Sequence, residues 1–437
     1  MNKNFSDVYS VWESWIVPKI EQFQDNKYLS AVHQTFYILL PFWLTVSFFD
    51  ILGNVFFDPQ GIILGNDGLN LGMIFTGGLT GEEYLQSKFS QLFLVYKKTI
   101  DVAYRITSLI LVMALSRQLA MIWNSDKVLT IFSSLAAFTL ISSPIMHSSA
   151  ENQDYFAGMG FFSAFLSTFL SARIFSWLYN IKKLRVKIPR SMPKELKYYL
   201  SPVFSVLLTM LIFANLAVAI VFLKLATEDF FVEIFRSTIF QNLAFVLLYQ
   251  FVVWFLWWLG IPGYGVTAKL QEIAYTPLQI SNQFGDTVAI FTTGFFEAGV
   301  IHVLGLIIAI LVFSQHETWR KVAKFSVPLL LVNVQEVFIF GLPVVLNPIF
   351  LIPYILAPLA NCLVGYFAIS CGIVPIFQVD LPWTMPLFFS VAISTHSIMG
   401  GILQLVWLIM DIFIYAPFVI TANTLEFNKE KKDGEEF

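Results

Sequence analysis

The chain of 437 residues is 57% hydrophobic and 13% charged, with a mean hydropathy of +0.72. A soluble globular domain carries about 25% charged residues, so these values exclude that class and imply an all-α polytopic membrane protein. The net charge of −3 gives no basis for a nucleic-acid partner.

The first 27 residues are too polar for a signal peptide. Their apolar side chains (Val8, Val11, Trp12, Trp15, Ile16) recur at helical spacing, which predicts a segment lying along the bilayer surface. A spanning helix needs about 20 mostly apolar residues. Stretches of that kind cover 31–52, 101–121, 127–147, 157–181, 200–224 and 234–259. Further stretches cover 296–314, 325–345, 347–370 and 386–422, the last long enough for a broken or double segment, giving about ten transmembrane helices.

Loop charge sets the orientation. The stretch 182-KKLRVKIPRSMPKELK-197 holds seven basic residues against Glu195 and is expected to be cytoplasmic. Four crossings precede it, so the N-terminus is expected on the same side. Residues 315–324 are also basic, but three simple crossings from 200 to 314 would place them outside. The Gly- and Pro-rich stretch 260–295 must restore the parity, as a re-entrant hairpin buried in protein or lining a wet cavity. A second broken element carries Gly341, Pro343 and Pro348. Both broken hairpins fall in the C-terminal half, where interrupted segments point to a transport site. The expected organisation is a helical scaffold and dimerisation unit over 1–228, a transport unit over 229–425, and a charged cytoplasmic tail over 426–437.

Glu336 stands inside 329-LLLVNVQEVFIFGLPVVLNPIF-350, and no Lys or Arg occurs between Lys324 and Lys429. A carboxylate at membrane depth without a cation either points into a polar cavity or caps a broken helix. The neighbouring amides Asn333 and Gln335 suit a polyol's hydroxyl groups. Other charges read as structural. Asp101 and Arg105 are spaced to pair on one helical face. Glu297 follows Gly294 at a helix start, where an acid suits the dipole. Asp411 has no matching base. The five histidines show no metal-ligand spacing, with His396, near Trp383, singled out among them. Cys362 and Cys371 read as small apolar residues, and neither a metal nor a cofactor is expected. Trp254, Trp257 and Trp258 fit an interfacial belt or a stacking platform for a sugar ring.

The run 333-NVQEVFIFGLPVVLNPIF-350, continuing to Pro375, resembles the IIC permease component of phosphotransferase systems, lactose/cellobiose class. There the pattern is close to N-x-N-E-P-x-x-F-G-x-P-x-x-x-N-P. The element 383-WTMP-386, the helix 402–418 and the basic stretch 182–193 are similar to the same family in the same order. The resemblance implies a homodimer in the bacterial cytoplasmic membrane, with both termini cytoplasmic. It implies uptake of a β-linked disaccharide, a β-glucoside or β-galactoside, with phosphoryl transfer from the cysteine of a separate IIB protein that is served by IIA. It implies a sugar site at Glu336, Asn333, Gln335, Trp383, Thr384, Trp258, Gly260 and Gly263, with Glu336 near the hydroxyl to be phosphorylated. The family's G-I-H-G reads Gly260, Ile261, Pro262, Gly263 here, so a proline replaces its histidine. N-E-P reads Gln335, Glu336, Val337, and the usual Gly-Gly-rich stretch reads 292-TTGFFEAG-299. These departures keep a second reading open, a IIC-like facilitator or sensor no longer coupled to phosphorylation. A proton-coupled secondary transporter would need a carboxylate relay and ranks last.

Overall fold

The computed structural model describes residues 26–61, 63–65, 69–146, 159–189, 191–331, 333–342, 344–379, 381, 385–386 and 388–435. The expected surface helix at the N-terminus lies outside them. All regular structure among the described residues is helical. The described chain divides into two compact units, one over Lys27–Phe231 and one from Val232 onward.

The 27–231 unit opens with α1 (Lys27–Ile51), which runs into a π-helical turn at Leu52–Phe56. Two short helices, α2 (Leu71–Phe75) and α3 (Gly81–Gln86), precede the 35-residue α4 (Lys88–Ile122). Then come α5 (Lys127–Met146), α6 (Met159–Asn180), α7 (Lys194–Leu200) and α8 (Val203–Phe235). Helix α4 packs against α1, α5 and α6, and α5 packs against α6. Lipid tails are as apolar as leucine, so small residues and interhelical hydroxyl bonds hold such bundles together. Ala137, Ile141 and Phe213 form a buried cluster, and Ser171 on α6 donates to Ser134 on α5 at 3.0 Å. Local caps set the helix starts: Ser87 Oγ accepts from Ser90 N at 3.2 Å, and Asp126 Oδ1 accepts from Leu129 N at 2.8 Å.

In the 232–437 unit, α9 (Leu243–Trp258) is bent by 113° from the preceding segment Val232–Gln241. Asn242 caps α9 through Ala244 N at 2.9 Å. Residues 260–295 hold three short helices, α10 (Gly263–Val266), α11 (Ala268–Ala274) and α12 (Thr276–Phe284). Next are α13 (Thr293–Ala298), a 3₁₀ turn at Gly299–Ile301, and α14 (His302–Phe313). They are followed by α15 (Glu317–Leu330), α16 (Glu336–Gly341) and α17 (Pro348–Ser370). The unit ends with α18 (Phe389–Ser394) and α19 (Ile398–Glu435). Helix α19 packs against α14, α17 and α18, and α17 packs against α9.

Among the described residues, six helices are long and apolar enough to cross a membrane, or seven if the bent pair around Asn242 counts as one span. Two of the expected apolar stretches are divided, the second of them, 386–422, as its length allowed. Residues 325–345 hold the end of α15, a turn in which Asn333 is left-handed (φ 64°), and the six-residue α16. Pro328 inside α15 and the left-handed Asn333 stop one helix from running through. Residues 386–422 break between α18 and α19, where His396 has φ 49°.

Candidate functional site

The 232–437 unit carries a partly open pocket, with about 420 Å³ of space counting its open mouth, that draws residues from five places along the chain. Gly294, Glu297, Ala298 and Ile301 come from α13 and the turn after it. Asn333 comes from the turn between α15 and α16. Phe377, Leu381 and Met385 come from the segment joining α17 to α18. Ser390 and Ser394 stand on α18, and Gln404 on α19.

Each wall is fixed by polar contacts. Asn282 donates to the carbonyls of Ala289 (2.7 Å) and Phe377 (3.0 Å), and its oxygen accepts from Ala289 N at 2.9 Å. This one amide joins the approach to α13 to the segment carrying Phe377. Gly294 N donates to Gln279 Oε1 at 3.3 Å, and a Cβ on Gly294 would lie 3.1 Å from that same oxygen. Ser394 donates to the carbonyl of Val379. Gln404 Oε1 accepts from Phe388 N at 2.6 Å, and Gln404 Nε2 donates to Ser390 Oγ at 3.0 Å. Phe388 has φ 69°, a strained value for a residue with a Cβ, and its ring fills the space beside Gly401.

The lining suits a neutral, hydroxyl-rich molecule. Among the described lining residues Glu297 is the only acid, and none is a cation. Asn333, Gln404, Ser390 and Ser394 add amides and hydroxyls, and Phe377 adds an aromatic ring. No group of three or more His, Cys, Asp or Glu could hold a metal ion among the described residues.

The residues singled out from sequence are distributed unevenly about this cavity. Asn333 lines it. Gln335 is buried at the N-cap position of α16, and its Oε1 has no hydrogen-bond partner among the described atoms. Glu336 is the first residue of α16, and its side chain lies outside the described set. Trp383 and Thr384 also lie outside it, between the lining residues Leu381 and Met385. Trp258, Gly260 and Gly263 do not line the cavity. Trp258 donates its indole N–H to the Asn347 carbonyl at 2.9 Å, and Leu346 N donates back to the Trp258 carbonyl at 2.8 Å. Gly260 turns the chain after α9 with φ 83°. A Cβ on Gly263 would fall 2.1 Å from the Val253 carbonyl oxygen, so the turn demands glycine.

Several other expectations change. Glu297 is the fifth residue of α13 and faces the cavity, so it is not a dipole-neutralising acid at a helix start. Asp411 accepts from Asn361 Nδ2 at 3.0 Å and is fully buried. Trp254, Trp257 and Trp258 are interior rather than belt residues: Trp254 bonds Gln250 Oε1 at 2.8 Å and packs edge-on to His302 at 4.2 Å. His302 Nδ1 in turn meets the Tyr415 hydroxyl at 2.8 Å. His396 is exposed and paired with Gln378 at 3.0 Å. The side chains of Asp101 and Arg105 lie outside the described set. Composition alone could have flagged Glu297 and Gln404, because each is a polar group inside an otherwise apolar stretch. Ser390 and Ser394 carry no such contrast.

A helical membrane protein with a polar, cation-free cavity among broken helices is of the transporter class. The family model described as Phosphotransferase system, EIIC matches residues 33–358, and the chain belongs to that family. Among its relatives is the oligo-beta-mannoside-specific EIIC component of Bacillus subtilis (strain 168). That protein is 26% identical over 96% of this chain and 95% of its own length. The cellobiose-specific EIIC component of Lactococcus lactis subsp. lactis (strain IL1403) is 29% identical over 43% of this chain and 44% of its own length. A crystal structure of ChbC, the IIC component of the N,N'-diacetylchitobiose-specific system, covers 96% of this chain and 99% of that chain. Its sequence identity is 21% and its TM-score 0.48.

Proposed function

We propose that this EIIC chain is a sugar permease whose cavity takes a β-linked disaccharide, a β-glucoside or β-galactoside. The observation that carries the reading is the described lining itself, a carboxylate with amides and hydroxyls and, among the described residues, no cation. An anionic substrate would meet repulsion from Glu297, whereas sugar hydroxyls can donate to the carboxylate and to the amide oxygens. The printed specificities of two relatives, oligo-beta-mannoside and cellobiose, agree with a β-linked sugar.

In this reading Glu297, Asn333 and Gln404 hold the sugar. Glu336, three residues after Asn333, orients the hydroxyl that is phosphorylated, with Gln335, Trp383 and Thr384 close by. The sugar oxygen attacks phosphorus on the IIB cysteine: an O–P bond forms, the S–P bond breaks, and the hydroxyl proton passes to the carboxylate. Trp258, Gly260 and Gly263 act behind the site by fixing the turn at 342–347. IIB and IIA are separate proteins in this reading, and the chain works as a homodimer in the bacterial cytoplasmic membrane. The unit up to 228 is scaffold, the following one moves the sugar, and about ten transmembrane helices are accompanied by two re-entrant hairpins in the C-terminal half, at 260–295 and around Gly341, Pro343 and Pro348.

Membrane vesicles carrying the chain, supplied with phosphorylated IIB and labelled β-disaccharides, test this directly. Sugar phosphate is expected, with its formation reduced at least tenfold by Glu336→Gln. Sugar binding that persists with no phosphate formed would favour the second reading, a facilitator or sensor. Pro262 supports that alternative, since it stands where the family has histidine and can neither donate a hydrogen bond nor carry a proton. No binding of any β-disaccharide would overturn the cavity assignment.

A further inference from the structure

One end of the 27–231 unit gathers four helix termini. The Trp123 indole at the end of α4 donates to the Tyr28 hydroxyl at the start of α1, at 3.3 Å. Asn180, the last residue of α6, donates to the Trp123 carbonyl at 3.2 Å. Tyr198 of α7 donates to Asp126 Oδ2, just before α5, at 2.5 Å. The loop 181–193 therefore lies over this end, held there by Val186 N donating to the Ser201 carbonyl at 2.9 Å.

This end is strongly basic. Lys182, Lys183, Arg185, Lys187 and Lys194 are exposed on the loop and on α7. Arg117 on α4, Lys127 on α5 and Arg173 on α6 are exposed below it. Among the described residues, none of these eight is in a salt bridge. Arg173 precedes the end of α6 by seven residues, which is about 10 Å at 1.5 Å per residue. The cations thus occupy two depths, comparable with the headgroup layer of about 5–8 Å on each side of a bilayer. Two guanidinium groups are held in place by aromatic faces: Arg173 lies 5.4 Å from the Trp123 ring centroid, and Arg185 lies 5.3 Å from that of Tyr179.

Apolar groups are interleaved with these charges. Trp177, Tyr198, Tyr199, Leu196 and Leu200 are exposed beside the loop. The loop also joins two candidate spans, Gly160–Asn180 and Lys194–Leu223. A soluble acidic partner would match the charge and leave the apolar rim against water. A lipid surface satisfies both features, because aromatic rings sit at the headgroup level while lysines and arginines reach phosphate.

We propose that this end of the unit binds anionic phospholipid, with Arg173 and Arg185 as ordered phosphate ligands and the loop lysines as a surrounding positive field. The occupant is a lipid with a net negative headgroup, phosphatidylglycerol being the simplest probe.

The full chain, purified in neutral detergent, is heated with added phosphatidylglycerol or phosphatidylcholine. Phosphatidylglycerol is expected to raise Tm by several degrees more than phosphatidylcholine, and the difference shrinks at high salt. In Lys182→Gln/Lys183→Gln/Arg185→Gln/Lys187→Gln that difference falls by at least half. The charge-conserving Lys182→Arg/Lys183→Arg/Lys187→Arg keeps it. Should the fourfold variant fail to fold, Arg173→Gln and the salt dependence of the unaltered chain decide. Equal shifts with both lipids overturn the proposal, as does an undiminished phosphatidylglycerol shift in a folded neutralised variant. If that variant keeps its lipid response but loses productive contact with phosphorylated IIB, the patch is a protein-docking face and the lipid assignment fails.

Discussion

Asp411 and Glu297 are both carboxylates in apolar helices of the 232–437 unit, and their surroundings assign them different work. Asp411 is fully buried, bonded to Asn361, and its Cβ would lie 2.5 Å from a Cβ placed on Gly305. It fastens α19 to α17 at a point where α19 also approaches α14 closely. Removing the acceptor leaves the buried Asn361 amide unpaired, so Asp411→Ala should cost about 1–3 kcal/mol. Thermal unfolding of the purified chain measures this as a fall in Tm. Gly305→Ala should destabilise through the clash by a similar ~1–3 kcal/mol. Glu297 faces the cavity, so Glu297→Gln should weaken disaccharide binding several-fold, a larger effect than its change in Tm, read by ligand-induced thermal shift. A Glu297→Gln chain that unfolds early yet binds sugar normally would make Glu297 a structural residue. Isolation from any cation singled out Glu336 in the sequence, and Asp411 lies in the same cation-free run. What separates them is the partner, and Asn361 lies 50 residues from Asp411 along the chain. No local pattern reports a contact at that range.

Hydropathy located apolar segments well and continuity poorly. The stretch 325–345 has the composition of a span, yet it is α15, a turn and a single further turn-and-a-half of helix in α16. The break lies at Asn333, a residue type that tolerates left-handed backbone through its short polar side chain. The turn brings Asn333 to the cavity, so the local conformation and the site are one feature. This separates two substitutions. Asn333→Gly keeps the left-handed turn and removes the amide, so binding should weaken more than stability. Asn333→Ala adds about 1–2 kcal/mol of backbone strain, so Tm should fall further than in Asn333→Gly. The reverse order of Tm values would mean that the side chain, not the backbone angle, holds the turn. A cap at the next element is equally local: Asn347 Oδ1 accepts from Ile349 N at 3.0 Å, with Pro348 at the first helical position of α17. That N-P signature was visible in the sequence. The bond from Trp258 to the Asn347 carbonyl was not, because it spans 89 residues.

For the whole molecule, the open quantity is the number of crossings between its two basic loops. The basic stretches 181–193 and 315–324 are separated by two candidate spans, Lys194–Leu223 and Thr293–Phe313, and by the pair bent at 113°. Two crossings return the chain to its starting side and three do not. The positive-inside rule predicts both stretches in the cytoplasm. That is consistent only if Val232–Trp258 adds no net crossing, or if the short helices between 263 and 284 reverse it. The prediction is that Lys183→Cys and Lys321→Cys, each in a Cys362→Ser/Cys371→Ser background, react with a membrane-impermeant maleimide in inside-out vesicles and not in right-side-out ones. Labelling of the two from opposite faces would make the bent pair a full crossing. It would also remove the need for a re-entrant hairpin over 260–295. The cavity would keep its lining in either case, because Glu297, Asn333 and Gln404 belong to one compact unit. Only the side from which the sugar reaches it would change.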